Sequence, residues 1–385
     1  MHARNRLYIL LGLVIITLLT WGGWFVWGRA PTNQTTPSAA TEFHVGVLVP
    51  LTGRNAQYGK WILEGLELAR DEINAQGGVS HRQIVLDVQN DEADPAKAIS
   101  GYGYLVTVKK DQVIYGPWAS SAVLAIAPFA NRDKVTVLAS AISPKIRDAG
   151  DYIFRMQPDA HYYLQALVPY VRAKMKVSRI GILYINNDFG IDQSLVFSKL
   201  FAEQGGTVVV NDAYKPDATD FRAELTKLKL EGVDSVFIAG YTEMAIILKQ
   251  IPQVGLRNIK IIGSVPTENP DILSVAGPAA EGVVFPFHFD EYSLDPAVVS
   301  FQTRYRVRYG HPAEGFAALA FDGLHALALA ARGSDFSGME IKKGLYALSA
   351  MHGVTGTTSF DDHGDVIKPI VIKHIENSKF VRVHD

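Results

Sequence analysis

Over most of this chain apolar and polar positions alternate with a strand or helix rhythm, but the first stretch has neither. From Leu7 to Trp27 the residues are apolar apart from Gly and Thr. About 20 such residues cross a bilayer as a helix. A secretory signal has a shorter apolar core, roughly 7–15 residues, with a small-residue cleavage site close behind it. Ser38 and Ala40 come well after Trp27, so an uncleaved transmembrane anchor over residues 1–29 is favoured over a removed signal. Arg4 and Arg6 put the N-terminus on the cytoplasmic side, and Trp21, Trp24 and Trp27 suit the far interface, although Arg29 weakens the asymmetry. Residues 30–42, rich in Pro, Thr, Ser and Ala, read as a tether.

From Phe43 onward two periods take over. Phe43–Pro50 reads as a strand, and Trp61, Ile62, Leu66, Ala69 and Ile73 then recur at helical spacing up to a glycine stop at Gly77-Gly78. Further strands are predicted at Gln83–Gln89, Gln112–Tyr115, Val135–Ala139 and Tyr152–Met156. A second series follows at Arg179–Ile185, Thr207–Ala213, Asp234–Ala239, Ile259–Gly263 and Gly282–Phe287, with starts 23–28 residues apart. That is the length of a βα unit in a parallel sheet. Ile180–Ile185 is apolar throughout, as a strand covered on both faces requires. The prediction is therefore α/β, with two doubly wound parallel sheets in succession. A helical stretch from Ser300 to Ala331 and strands at Thr357–Phe360 and Pro369–Ile375 complete it.

Composition narrows the function. The 385 residues are 48% hydrophobic and 20% charged, enough for packed cores, and the formal charge of −2 offers no basic face for nucleic acid. The absence of cysteine excludes disulfides, thiolate metal sites, a Cys nucleophile and a lipid-modified cysteine. Gly53 to Trp61 fails as a phosphate loop: five residues separate its glycines, and Trp61 stands where Ser or Thr would hold magnesium. His161, His288, His311 and His325 are scattered and read as surface or packing residues. Asp361-Asp362-His363-Gly364-Asp365 lacks the oxygens and final Glu of a calcium loop and reads as a turn. No cofactor, no metal and no catalytic constellation are expected, so an enzyme is disfavoured.

In open α/β sheets ligands bind at the carboxyl ends of the strands. Tyr58, Trp118, Phe189 and Tyr241 each come after a strand and would wall a cleft with aromatic faces. Ser120 comes after the same strand as Trp118 and Ser140 after Val135–Ala139, and both lead towards helices, where hydroxyls and free amides receive anions. Plain helix capping is the alternative. It is preferred for Ser143-Pro144, and for Ser120 and Ser140 both roles stay open.

The chain from Phe43 resembles the periplasmic branched-chain amino acid and amide-binding family, the type I solute-binding proteins of ABC transporters. The resemblance is carried by Val49-Pro-Leu-Thr-Gly53, Ala56-Gln-Tyr-Gly59, Gly65-Leu-Glu-Leu-Ala69, Asp71–Val79, Asp91, Asp94-Pro95, Ser140 and Asp220-Phe221. Gly255-Leu256, Glu281-Gly282, Phe321-Asp322-Gly323, Phe360-Asp361 and Gly364-Asp365 continue it. It implies a periplasmic binding protein type I fold with two lobes joined by a three-crossing hinge near Gln157, Pro286 and Ser359. Residues 43–156 and 287–358 would form lobe 1, and 157–286 and 359–385 lobe 2. The implied partners are a small carboxylate, amide or amino-acid-like ligand and an ABC transporter permease, on the periplasmic or extracellular side of the membrane.

The resemblance also implies site roles. Ser120 and the loop Ser140, Ala141 and Ile142 would hold a ligand carboxylate. Tyr58 and Trp118, with Phe316 beside them, would line one lobe, and Phe189 and Tyr241 would close from the other. Three positions depart from the amino-acid pattern. Ile142 replaces a usual Thr, Phe189 a common Tyr, and Val265 an acidic residue that receives the ammonium, with Glu268 and Glu243 close in sequence. A buried ammonium without an acceptor is costly, so a carboxylate, amide or aromatic acid fits as well as a leucine-type ligand or better. A membrane-anchored sensor with the same lobes is the rival reading.

Overall fold

The structure is a computed structural model that describes residues 41–383. The predicted anchor at Leu7–Trp27 lies outside the described residues. Among the described residues no helix is long and apolar enough to cross a membrane.

Residues from Phe43 onward form one compact unit containing two main sheets. The first has the order β2-β1-β3-β4-β5, built from β1 (Glu42–Val49), β2 (Gln83–Asn90), β3 (Val113–Tyr115), β4 (Thr136–Ala139) and β5 (Ile153–Arg155). The second begins with β6 (Arg179–Ile185), β7 (Thr207–Tyr214), β8 (Ser235–Ala239), β9 (Lys260–Gly263) and β10 (Val284–Phe287). β1 with β3, β3 with β4 and β4 with β5 pair parallel, as do β6 with β7 and β8, β8 with β9 and β9 with β10. β3, β4 and β8 are buried along their whole length, because helices cover both faces.

The helix Ala56–Ala75 buries each apolar position that its spacing marks, Trp61, Ile62, Leu66, Ala69 and Ile73. It packs against the helix Gly315–Ala330, which is buried on nearly every side. The backbones approach so closely that a Cβ on Gly65 would lie 2.1 Å from the Ala317 carbonyl oxygen. This contact returns the late helices to the first sheet, and the helix Gly338–Tyr346 joins them against β4.

Three features differ from the sequence reading. The late helical stretch starts earlier, at Pro296, and is broken after Tyr309, where Gly310 takes φ +79° and Pro312 comes next but one. The strand expected at Thr357–Phe360 is β12 (Gly356–Thr358), which forms a small hairpin with the unexpected β11 (Met351–Gly353). The second sheet is also not wholly parallel. β13 (Val371–Glu376) pairs antiparallel with β10, and β14 (Lys379–Arg382) pairs antiparallel with β13, giving the order β14-β13-β10-β9-β8-β6-β7. Asn377 and Ser378 turn that hairpin with φ of 51° and 56°, the two-residue geometry that needs no crossover helix. Their amides donate to the Glu281 carboxylate at 2.9 and 2.8 Å.

The acidic run Asp361–Asp365 is a turn, with Gly364 at φ +77°. Its last carboxylate accepts from the fully buried Arg155 at 2.5 Å and from Arg147 at 2.8 Å. Arg155 also donates to the Ser143 carbonyl at 2.8 Å, so the end of β5 is tied to both neighbouring loops.

Candidate ligand-binding site

The carboxyl ends of the two sheets face one small cavity of about 20 Å³. From the first sheet, Trp118 and Ser120 come after β3, Ser140, Ala141 and Ile142 after β4, and Gln157 after β5. From the second, Phe189 comes after β6, Tyr241 after β8, and Val265 and Pro266 after β9, while Phe316 comes from the helix Gly315–Ala330 on the first sheet's side.

Local backbone requirements set these positions. At Gly116, with φ +99°, any Cβ would lie 2.0 Å from the Leu48 carbonyl oxygen, so only glycine lets the chain turn off β3 towards Trp118. The Pro117 carbonyl then accepts from the Ser140 amide at 3.0 Å, which fixes the two loops side by side. Asn187 caps the next helix by accepting from the Gly190 amide at 3.0 Å, and this directs Phe189 inward. The Glu243 carboxylate accepts from the Tyr241 amide at 3.0 Å and from the Tyr214 phenol at 2.8 Å, which fixes the turn after β8.

The structure brings together every expected lining residue except Tyr58. Tyr58 sits one layer back, fully buried, its ring stacked on Trp118 with centroids 4.4 Å apart and planes 12° from parallel. It supports the wall without forming its surface, because Trp118 occupies the inner position. Trp118 meets Tyr241 at 5.0 Å, and Tyr241 stacks on Phe189 at 4.8 Å. A continuous aromatic band therefore runs from one sheet to the other. Burial pushes the phenols of Tyr58 and Tyr241 up, so both stay protonated donors.

The serines take distinct roles. Ser143 caps the short helix Pro144–Asp148, as its sequence context suggests, and its hydroxyl also donates to Asp192 across the cleft. Ser120 is not a cap: Ala119 holds that position, and Ser120 is the first helical residue. Its hydroxyl accepts from the Ser143 amide at 3.2 Å, which leaves its own proton available. The Ser140 hydroxyl is buried beside the equally buried Tyr115 phenol, and neither has a well-formed hydrogen-bond partner among the described residues. The amides of Ala141 and Ile142 make no backbone hydrogen bond among the described residues. A buried donor without a partner is unfavourable in a closed protein and useful where a ligand completes it.

Among the described residues no charged side chain lines the cavity. Both glutamates near Val265 and Tyr241 are engaged elsewhere. Glu268 pairs with Lys373 at 2.7 Å, both fully buried, and Glu243 is held by Tyr214 and Tyr241. Gln157 and Pro266 were not expected. The rule that located the others, that lining residues sit just past the carboxyl end of a strand, also points to Gln157 beyond β5. Pro266, next to Val265 beyond β9, obeys the same rule.

The sequence profile described as "Periplasmic binding protein" matches residues 42–379. The chain belongs to the periplasmic binding protein family. Among relatives of this periplasmic binding protein, the leucine-, isoleucine-, valine-, threonine- and alanine-binding protein of Pseudomonas aeruginosa is 27% identical over 335 residues, covering 85% of this chain and 88% of that one. Two solved structures share its fold across 89% of its length. The branched-chain amino acid transporter substrate-binding protein LivJ of Streptococcus pneumoniae, in complex with isoleucine, is 27% identical, is covered over 99% and gives a TM-score of 0.83. An ABC transporter solute-binding protein of Rhodopseudomonas palustris, in complex with 3,4-dihydroxybenzoic acid, is 25% identical, is covered over 96% and gives a TM-score of 0.79.

Proposed function

We propose that this protein captures a compact carboxylic acid or amide between two lobes and presents it to the permease of an ABC transporter, without catalysing a reaction. The observation that carries the ligand class is a cavity walled by Trp118, Phe189, Tyr241 and Phe316, supplied with serine hydroxyls and the Gln157 amide, and lined by no charged group among the described residues. Aromatic faces bury apolar surface, and the Ser120 and Ser140 hydroxyls with the Ala141 and Ile142 amides suit a carboxylate or carbonyl oxygen. An α-ammonium would find no carboxylate. The two nearest in sequence are already paired, and leaving such a charge without an acceptor is costly. Relatives supply both precedents: the Streptococcus protein carries isoleucine and the Rhodopseudomonas protein a dihydroxybenzoic acid. The uncharged lining favours the second.

The lobes would be residues 43–156 with 287–358, and 157–286 with 359–385. The crossings near Gln157, Pro286 and Ser359 would act as the hinge, with the folded part outside the cytoplasm. Ligand contacts both sheets only when they meet, so it shifts the population towards closure, the shape a permease would recognise.

Calorimetry on matched pairs tests the ligand class: 3-phenylpropionate against phenylalanine, and 4-methylpentanoate against leucine. The acids should bind at least about tenfold more tightly, the value of one lost charge-assisted hydrogen bond. If the amino acids bind better, the acid reading fails and the solute-binding role stands.

A further inference from the structure

A second constellation lies where β1 and β3 begin, at the end of the first sheet away from the cavity. His44 on β1, Asp87 on β2 and Asp111 ahead of β3 each place one ligand-type atom within 4.8 Å of the others. Nothing in their spacing along the chain marks them as a set; the sheet order brings them together. Gly46 makes room, since a Cβ there would stand 3.0 Å from an Asp111 carboxylate oxygen.

The polar bonds of this cluster are unevenly shared. Asp87 is satisfied on both oxygens, at 2.6 Å from His44 Nδ1 and 2.6 Å from Lys109 Nζ. Asp111 is 1% exposed, no donor reaches either of its oxygens among the described residues, and the Asp87 carboxylate beside it opposes a second negative charge. A buried carboxylate in that condition needs a proton or a cation.

We propose that His44, Asp87 and Asp111 form a binding site for a divalent transition cation of the zinc class. The imidazole selects that class, because calcium and magnesium take oxygen ligands. Zinc bound by nitrogen and carboxylate oxygen at about 2.0–2.2 Å sets tetrahedral ligand atoms roughly 3.3–3.6 Å apart, so His44 Nδ1 and Asp87 Oδ2, now 2.6 Å apart, part by about an ångström to admit it. Lys109 stays on the second oxygen of Asp87, as the outer partner that a ligating carboxylate usually has. The proton now shared between His44 and Asp87 and the proton on Asp111 leave to solvent when the metal enters. Water takes the fourth position. The cation cross-links β1, β2 and the loop before β3, and its effect is on stability, not on the cavity.

The test is a zinc titration of the full-length protein, stripped with a chelator, against a competing zinc indicator, with thermal unfolding monitored in parallel. One equivalent should bind, and the melting temperature should rise by several degrees with zinc but not with magnesium or calcium. His44→Ala and Asp111→Asn should each weaken zinc binding at least tenfold. Equal zinc affinity in His44→Ala overturns the site in favour of surface histidines, and this variant decides alone if Asp111→Asn does not fold. Absence of zinc uptake at micromolar concentration also overturns it, since Asp111 then carries a proton.

Discussion

The Tyr58 phenol donates a 2.8 Å hydrogen bond to the carbonyl of Pro266, joining the helix after β1 to the turn after β9. Both groups are buried, and the bond spans the two sheets, so it exists only while they are together. The Ser143 hydroxyl on the Asp192 carboxylate is a second buried spanning bond, and two further contacts lie nearer the surface. Arg54 donates to the carbonyls of Asp217 and Ala218 at 3.0 and 3.3 Å, and Lys145 reaches Asp188 at 2.9 Å. Such exposed pairs contribute little. The closed state therefore depends mainly on Tyr58 with Pro266, on the buried bond from Ser143 to Asp192 and on the ring contact of Trp118 with Tyr241.

Tyr58→Phe keeps the stack on Trp118 and removes only the spanning bond. A net hydrogen bond is worth about 0.5–1.5 kcal/mol, so affinity for an aromatic acid should fall roughly two- to tenfold. Thermal stability should change much less than in Tyr58→Ala, which also removes the ring. Small-angle scattering should show a larger free-state radius of gyration in Tyr58→Phe than in the parent. Identical radii would mean that the bond does not hold the lobes together.

Ser120→Ala and Ser140→Ala remove the hydroxyls offered to the ligand. Each should weaken binding of 3-phenylpropionate by about 1.5–3 kcal/mol, the value for a bond to a charged group. Ser140→Ala should also change unliganded stability little, because its buried polar neighbour, the Tyr115 phenol, forms no well-aligned bond with it. Calorimetry with urea unfolding separates the two effects. An unliganded Ser140→Ala protein that is clearly less stable would show that the hydroxyl serves the fold instead.

Most of this was legible because both the sheets and the site obey one rule. Strands such as Ile180–Ile185, apolar on both faces, announce parallel sheets, and the residues after them are bound to converge. That rule located Trp118, Ser140, Phe189 and Tyr241 without coordinates. It could not rank depth: Tyr58 comes after β1 as Trp118 comes after β3, and only packing decides which ring faces the cavity. The antiparallel edge was hidden because β14 is short, although Asn377-Ser378 between two apolar runs is a hairpin signal. The pairing of Glu268 with Lys373 links residues 105 positions apart, and no local pattern encodes it. Yet this pair turns an available acceptor into an occupied one.

Lys373 stands between Glu268 and Glu291, with its ammonium 5.2 Å over the Phe287 ring. Lys373→Met leaves the Glu268 carboxylate buried without its counterion. Breaking a buried pair on one side costs about 3–5 kcal/mol, most of it from the stranded charge. Lys373→Met combined with Glu268→Gln should recover a large part of that loss in urea unfolding. If the double variant is no more stable than the single one, Lys373 acts by packing rather than by charge.

Glu314, next to the same cluster, gives a pH-dependent counterpart. Burial, together with the Glu291 carboxylate and against the pull of Lys373, pushes its carboxyl from 4.5 up to about 7. The folded protein therefore holds a proton that the unfolded chain has released. Stability from this group is complete below about pH 4.5 and is lost as pH rises through about 7. Glu314→Gln keeps the shape and removes the titration. The variant should gain on the parent steadily between those limits, with a constant advantage above them, when melting temperatures are compared at a series of pH values. Other groups tilt both curves alike, so only the difference is diagnostic. A difference independent of pH would show that Glu314 is already ionised in the folded protein and that Lys373 compensates three carboxylates rather than two.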